Sequence, residues 1–230
     1  MTNRIHVRGQ MGVQLLQTAL GIARMPDDEE PIVVVNTGGL TNGAANLGIL
    51  EPKFRVTEVP DVGKTPYWVP GAATEIFTNL PKVQKWMKLN KQSYRVAVDA
   101  AFHLRGGDKE TMSPSSAFNW KQTVYALEFR NTNGVPDIRE YGNHPLVVER
   151  TNDPVDDWFD IYNTSRLYAG PSAYIMSMLL FNPHKTIVFA DESWHDGPYP
   201  FVGNDFVFLR EAAKFCPGVQ FISKDTSISC

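Results

Sequence analysis

Short apolar runs alternating with helical patterns constrain this chain most. Ile5 to Val7 is an apolar run, and Leu15, Leu16, Ala19, Leu20 and Ala23 then recur at helical spacing, which predicts a helix over 13–23 before a second run, Ile32 to Val35. A Gly- and Asn-rich loop, Thr37 to Gly48, separates these from a third predicted strand, Phe54 to Val59. The Pro- and Gly-rich stretch Pro60 to Gly71 follows, and Ala72 to Leu89 reads as a helix interrupted at Pro81. Strand followed by helix, repeated, predicts an α/β fold with a parallel sheet, because strands running the same way need a crossover, usually helical, between them.

Asn90 to Ser93 reads as a boundary, and from Tyr94 a second unit opens with the long apolar strand Tyr94 to Phe102. A helix is predicted near Ser116 to Phe129, short strands over Leu146 to Glu149 and Thr186 to Ala190, and a helix over Asp205 to Phe215. Between them, Trp158, Phe159 and Ile161 suit a short buried helix. Leu167 to Ala169 suits a strand, Gly170 to Ser172 a turn, and Ala173 to Phe181 a buried helix. Two domains are therefore expected, 1–92 and 93–230. No internal repeat or low-complexity tract is visible.

With 230 residues, 43% hydrophobic content and 11% aromatics, the chain has material for real cores and does not read as disordered. A net charge of −3 does not mark a nucleic-acid binder, although a basic patch on one face is compatible with it. Cys216 and Cys230 are the only cysteines, which gives neither a disulfide framework nor a metal-ligand cluster, so a reducing cytoplasm is the expected setting. The polar N-terminus runs straight into a strand and predicts no signal peptide. Ala173 to Phe181, the longest apolar run, is too short to span a membrane, and no membrane partner is expected.

Three segments carry candidate chemistry. His103-Leu104-Arg105-Gly106-Gly107-Asp108 directly follows a strand, and a guanidinium with two glycines there suits a phosphate, because the fork makes bidentate charge-assisted bonds and glycine lets a ligand approach the backbone. An ordinary turn reads the same way. Gly9-Gln10-Met11-Gly12-Val13-Gln14 opens the first helix, with Gln14 and Gln17 one turn apart on the side where backbone N–H groups are free. It lacks the full G-x-G-x-x-G spacing of a dinucleotide fingerprint. Ser172 stands at the start of a helix, either as a simple cap or as part of an anion site. Gly63-Lys64-Thr65 lacks the glycine spacing and preceding strand of a phosphate-binding P-loop.

In this order the segments resemble those of the fucosyltransferase superfamily of GT-B glycosyltransferases. That family's Gly-x-x-Gly-Asn-Gln is matched by Gly9, Gly12 and Gln14, with Val13 at the asparagine. Its His-x-Arg-Arg-x-Asp is matched by His103, Arg105 and Asp108, with Gly106 at the second arginine. The family's third segment, a strand, a Ser-rich turn and an aromatic helix, is echoed by Tyr168 to Met178. Asn182-Pro183, a strand and Trp194 then follow in the family's order. The resemblance implies a GT-B-like fold, two small Rossmann-like parallel-sheet units facing across a cleft, with the acceptor on 1–92 and a nucleotide-sugar donor on 93–230. With neither a signal peptide nor a membrane span expected, a bacterial or viral cytoplasmic enzyme is the expectation, its acceptor a glycan, a protein or, in a virus, hydroxymethylated bases of its own DNA. The alternative is a non-catalytic nucleotide-binding protein that keeps the fold.

Cleaving a sugar–phosphate bond builds charge on the leaving diphosphate, for which Arg105 is the leading cation. Asp108 or Glu110 is the candidate base for the acceptor hydroxyl, and Asp108 serves equally as a structural partner of Arg105. His103, Gly107, Ser172 and Tyr174 complete the donor side, and Gly9, Gly12 and Gln14 form the acceptor side. No metal and no cofactor beyond the nucleotide sugar is expected, since the chain has no Asp-x-Asp pair in a Gly-rich or loop setting. Trp194, His195, Tyr199 and Phe201 are candidates to stack on a base or sugar, or simply pack on the surface. Arg4, Arg8, Arg24, Lys82, Lys85, Lys88 and Lys91 are the candidates for a DNA-facing basic strip, and Arg166 and Lys185 read as solvated single charges.

Overall fold

The computed structural model describes residues 3–37, 47–51, 53–60, 69–90, 100–105, 126–129, 147–148, 154–194 and 200–223. The chain is mixed α/β and divides into two compact units. The first comprises 1–92, 172–183 and 207–216, and the second 93–171, 184–206 and 217–230. The segments 172–183 and 207–216, which the sequence assigns to one domain over 93–230, are thus counted with the N-terminal unit.

In the first unit β1 (Arg4–Val7), β2 (Ile32–Asn36) and β3 (Arg55–Val59) form a parallel sheet in that order. Ile5 pairs in register with Val33 and Val7 with Val35, and all four are buried. The crossover from β1 to β2 is α1 (Met11–Arg24), with Leu15, Leu16, Ala19, Leu20 and Ile22 buried. Gly21 lets α1 lie against β1: a Cβ there would meet the Ile5 side chain at 2.4 Å. α1 also packs on α2 (Ala72–Thr78), α3 (Leu80–Trp86) and α5 (Ala173–Met176), which continues as a tight turn over Ser177–Leu180. The break expected at Pro81 falls at Asn79, because proline lacks an N–H and is tolerated only in a helix's first turn, where it sits in α3.

The second unit holds a parallel sheet of six strands: β4 (Ala100–Arg105), β5 (Ala126–Phe129), β6 (Val147–Val148), β7 (Arg166–Ala169), β8 (Thr186–Ala190) and β9 (Val219–Ile222). Their spatial order is β6-β5-β4-β7-β8-β9. α4 (Pro154–Tyr162) precedes β7, and α6 (Pro200–Ala212) lies between β8 and β9 in sequence. The helix predicted near Ser116 to Phe129 is not what its described part forms. Ala126–Phe129 is a strand, with Ala126 beside Phe102 and Phe129 beside Arg105. A short apolar run has no periodicity that separates helix from strand, and a place between β4 and β6 decides it. β9, absent from the sequence reading, is a four-residue strand after Pro217-Gly218, too brief to show alternation.

Among the described residues no helix is long and apolar enough to cross a membrane.

Candidate functional site

The chain order of the second sheet reverses at one point. From β4 the next strands, β5 and β6, are added on one side, while β7, β8 and β9 extend the other. In an open parallel sheet the connections leaving two such neighbours diverge, which opens a crevice outside their carboxyl ends where ligands bind. Here the neighbours are β4 and β7, with His103 in register with Ala169. β4 ends on Arg105, so the backbone carries the His-Leu-Arg segment to the edge where strand order reverses. His103 is buried, 3% exposed, and lies beneath that edge. Gly107, Asp108 and Glu110 lie outside the described residues.

Beyond β8, the Asp191 carboxylate accepts a hydrogen bond from the Ser193 amide at 2.9 Å and fixes a short turn over Glu192–Trp194. Glu192 and Ser193 are exposed. Of the candidate stacking residues, Trp194 ends this turn, Phe201 falls within α6, and His195 and Tyr199 lie outside the described residues.

The first unit gathers a different set. Gly9, with φ +88°, turns the chain out of β1, a conformation that favours glycine. Gln14 is buried, and its amide donates to the Gly9 carbonyl at 2.8 Å, so its side chain folds back to fix the turn. Gln17, also buried, accepts from the Arg8 amide at 2.8 Å. Gly12 is packed against α5: a Cβ on Gly12 would lie 2.3 Å from the Tyr174 nitrogen and 2.4 Å from the Ala173 carbonyl carbon. Ser172 caps α5, accepting from the Ile175 amide at 3.3 Å, and is 2% exposed. Gly9, Gly12, Gln14, Ser172 and Tyr174 therefore belong to one unit, and His103 and Arg105 to the other.

Two charge expectations change. Lys185 is not solvated: it is 4% exposed, and its ammonium donates to the carbonyls of Tyr162 at 2.8 Å and Thr164 at 2.5 Å. Burial pushes its pKa down to about 8. The ammonium thus ties the end of α4 to the start of β8, and no local pattern marks it, since a lysine before a strand is ordinarily exposed. Lys82, one of the basic-strip candidates, is engaged by the Asp27 carboxylate at 2.9 Å and by the Met25 carbonyl, so it is not a free phosphate contact. Arg24 is likewise held by Glu75 at 2.6 Å. Among the described residues no group of three or more His, Cys, Asp or Glu is placed to hold a metal ion.

Comparison with protein-family models, curated proteins and solved structures gives no match.

Proposed function

We propose that this chain is a glycosyltransferase that moves a sugar from a nucleotide-sugar donor to a hydroxyl acceptor, inverting and without a metal. The observation that supports it most is the parallel order β6-β5-β4-β7-β8-β9, with a strand ending His-Leu-Arg at the point of reversal. That is the strand order of doubly wound nucleotide-binding sheets, in which the ligand lies outside the carboxyl ends of the strands flanking the reversal. The resemblance of three ordered segments to the GT-B fucosyltransferase superfamily supplies the reaction. The GT-B arrangement, with the donor on the second unit and the acceptor on the first, is part of the proposal.

Arg105 then neutralises the leaving diphosphate, and Asp108 or Glu110 takes the proton of the attacking hydroxyl. His103, with its buried side chain, supports the strand end, and Gly107 lets the phosphates approach the backbone. In this reading Gly9, Gly12 and Gln14 shape the acceptor side, and Ser172 and Tyr174, expected on the donor side, go with them, because they belong to the first unit, where Tyr174 packs against Gly12. Two substitutions within the motifs, Gly106 at the second arginine and Val13 at the asparagine, favour a second reading in which the chain binds a nucleotide without transferring a sugar.

Titrating uridine- and guanosine-diphosphate sugars into the full chain by calorimetry tests binding. Measuring nucleoside diphosphate release with a glycan or with hydroxymethylated DNA then tests transfer. Binding with release supports the transferase, and binding without release supports the second reading. Failure of every nucleotide to bind overturns both.

A further inference from the structure

β7 and β8 pair along runs whose side chains do not choose a register. Leu167, Tyr168 and Ala169 lie beside Ile187, Val188 and Phe189, and all six are apolar or aromatic. A strand with such residues on both faces loses little patterning when it slips by one position, unlike one that alternates apolar with polar. One register is nonetheless selected: Leu167, Ala169, Ile187 and Phe189 are completely buried, whereas Tyr168 and Val188 are partly exposed.

The ladder begins with Arg166 beside Thr186, and directly before it stands a polar contact that does depend on register. The buried Lys185 ammonium donates to the carbonyls of Tyr162 and Thr164 and, at 3.5 Å, to the Thr164 hydroxyl, with the Tyr162 ring centroid 5.7 Å away. The receiving turn is itself held. Thr164 is buried and its hydroxyl donates to the Ile161 carbonyl at 2.8 Å, the Asn163 amide bonds the Phe159 carbonyl at 3.0 Å, and the Tyr162 ring stacks on the buried Trp158 at 4.7 Å. These carbonyls lie at the C-terminal end of α4, where the helix dipole also favours a cation. On the β9 side, a Cβ on Gly218 would lie 2.3 Å from the Lys185 carbonyl oxygen, so the lysine's backbone is hemmed in there.

A slip of one residue moves Lys185 by about 3.3 Å along the strand. That breaks the bonds, leaving an ammonium in an apolar interior and the turn's carbonyls without their donor. The cost falls on the wrong registers alone. A buried charge adds little to overall stability against an apolar residue of the same size, and the best-attested use of one is to fix register. We propose that Lys185 and the Tyr162–Thr164 turn form a register key: the captured ammonium sets β8 against β7 and so places the Asp191 turn at the carboxyl edge of the second sheet. The proposal is independent of the transferase reading.

The test is Lys185→Met in the full chain, which keeps an unbranched stem and removes the charge. The variant should melt close to the wild type, yet the backbone amide resonances of 186–190 should split into two slowly exchanging sets, only one of them showing Leu167–Ile187 cross-strand contacts. Amides 187–189 should exchange with solvent about tenfold faster or more. A single set with wild-type protection overturns the key. So does a chain that does not fold, since the ammonium is then a requirement of stability rather than of register. Lys185→Ala separates the two roles, because it leaves room for methylammonium, the severed end of the side chain. Methylammonium should raise its melting temperature saturably over sodium at equal ionic strength but leave the 186–190 resonances doubled, since a free cation fills the turn without linking it to β8. Absence of that rise, or collapse to one set, overturns the proposal.

Discussion

Gly12 and Tyr174 meet backbone to backbone: a single methyl added to Gly12 would fall 2.3 Å from the Tyr174 nitrogen. Atoms that are both main chain cannot step aside by changing a rotamer. The first turns of α1 and α5 are thereby locked together, although 162 residues separate Gly12 from Tyr174 by their numbers (174 minus 12).

Gly12→Ala is expected to destabilise the first unit by about 3 kcal/mol, at the upper end of overpacking costs. Gly71→Ala is the control, because a Cβ there meets nothing within 4 Å and the only strain is its φ of +84°. That change should cost about 1 kcal/mol. Urea denaturation of both variants decides the matter, and equal losses would show that the close approach to Tyr174 relaxes freely.

Lys185 should give the protein an alkaline rise in stability. Its pKa is about 8 when folded against 10.5 when exposed, so between these values the unfolded chain binds the extra proton. Stability is therefore expected to increase as pH rises from about 8 to 10.5. A shift of this size corresponds to at most about 3 kcal/mol, and the carbonyls of Tyr162 and Thr164, which favour the ammonium, will reduce it. Tyr162 acts in the opposite sense, since burial raises its pKa and stability falls once an exposed tyrosine would ionise. Comparing the pH dependence of thermal unfolding with that of Lys185→Met isolates the lysine. Parallel curves for the two proteins would remove it as the source.

Arg105→Ala is expected to lower turnover by about a hundredfold or more, as loss of a donor to a developing oxyanion does. Arg105→Lys should recover little, because a point charge does not reproduce the two-pronged contact with a diphosphate. Near-normal kcat/KM in Arg105→Lys would count against bidentate binding. Turnover should also survive excess EDTA, and activity lost to the chelator but restored by magnesium or manganese would reverse the metal-free assignment.

Much of the local structure was legible in the chain. The apolar residues of β1 and β2 and the helical spacing of α1 place a strand–helix–strand crossover near its observed bounds, Gly9 sits at the turn out of β1, and Pro81 sits in the first turn of α3, as their backbone chemistry requires. The sequence placed His103 to Arg105 at the carboxyl end of a strand, and they are the last residues of β4. The roles of Gln14 and Ser172 were only half legible: polarity at a helix start is visible in sequence, but the carbonyl or amide that each bonds is not.

What the sequence by itself determined was the succession of strands and helices outside Ala126–Phe129 and β9, because these depend on side-chain periods of two to four residues and on glycine and proline dihedrals. Tertiary structure alone decided that strand order reverses between β4 and β7, that Ala126–Phe129 is a strand, that Ser172–Pro183 joins the N-terminal unit, and that Lys185 is buried. Each depends on a partner far away in the chain. The free energy that selects it, whether ladder hydrogen bonds, close packing or desolvation of an ammonium, exists only once the partners meet.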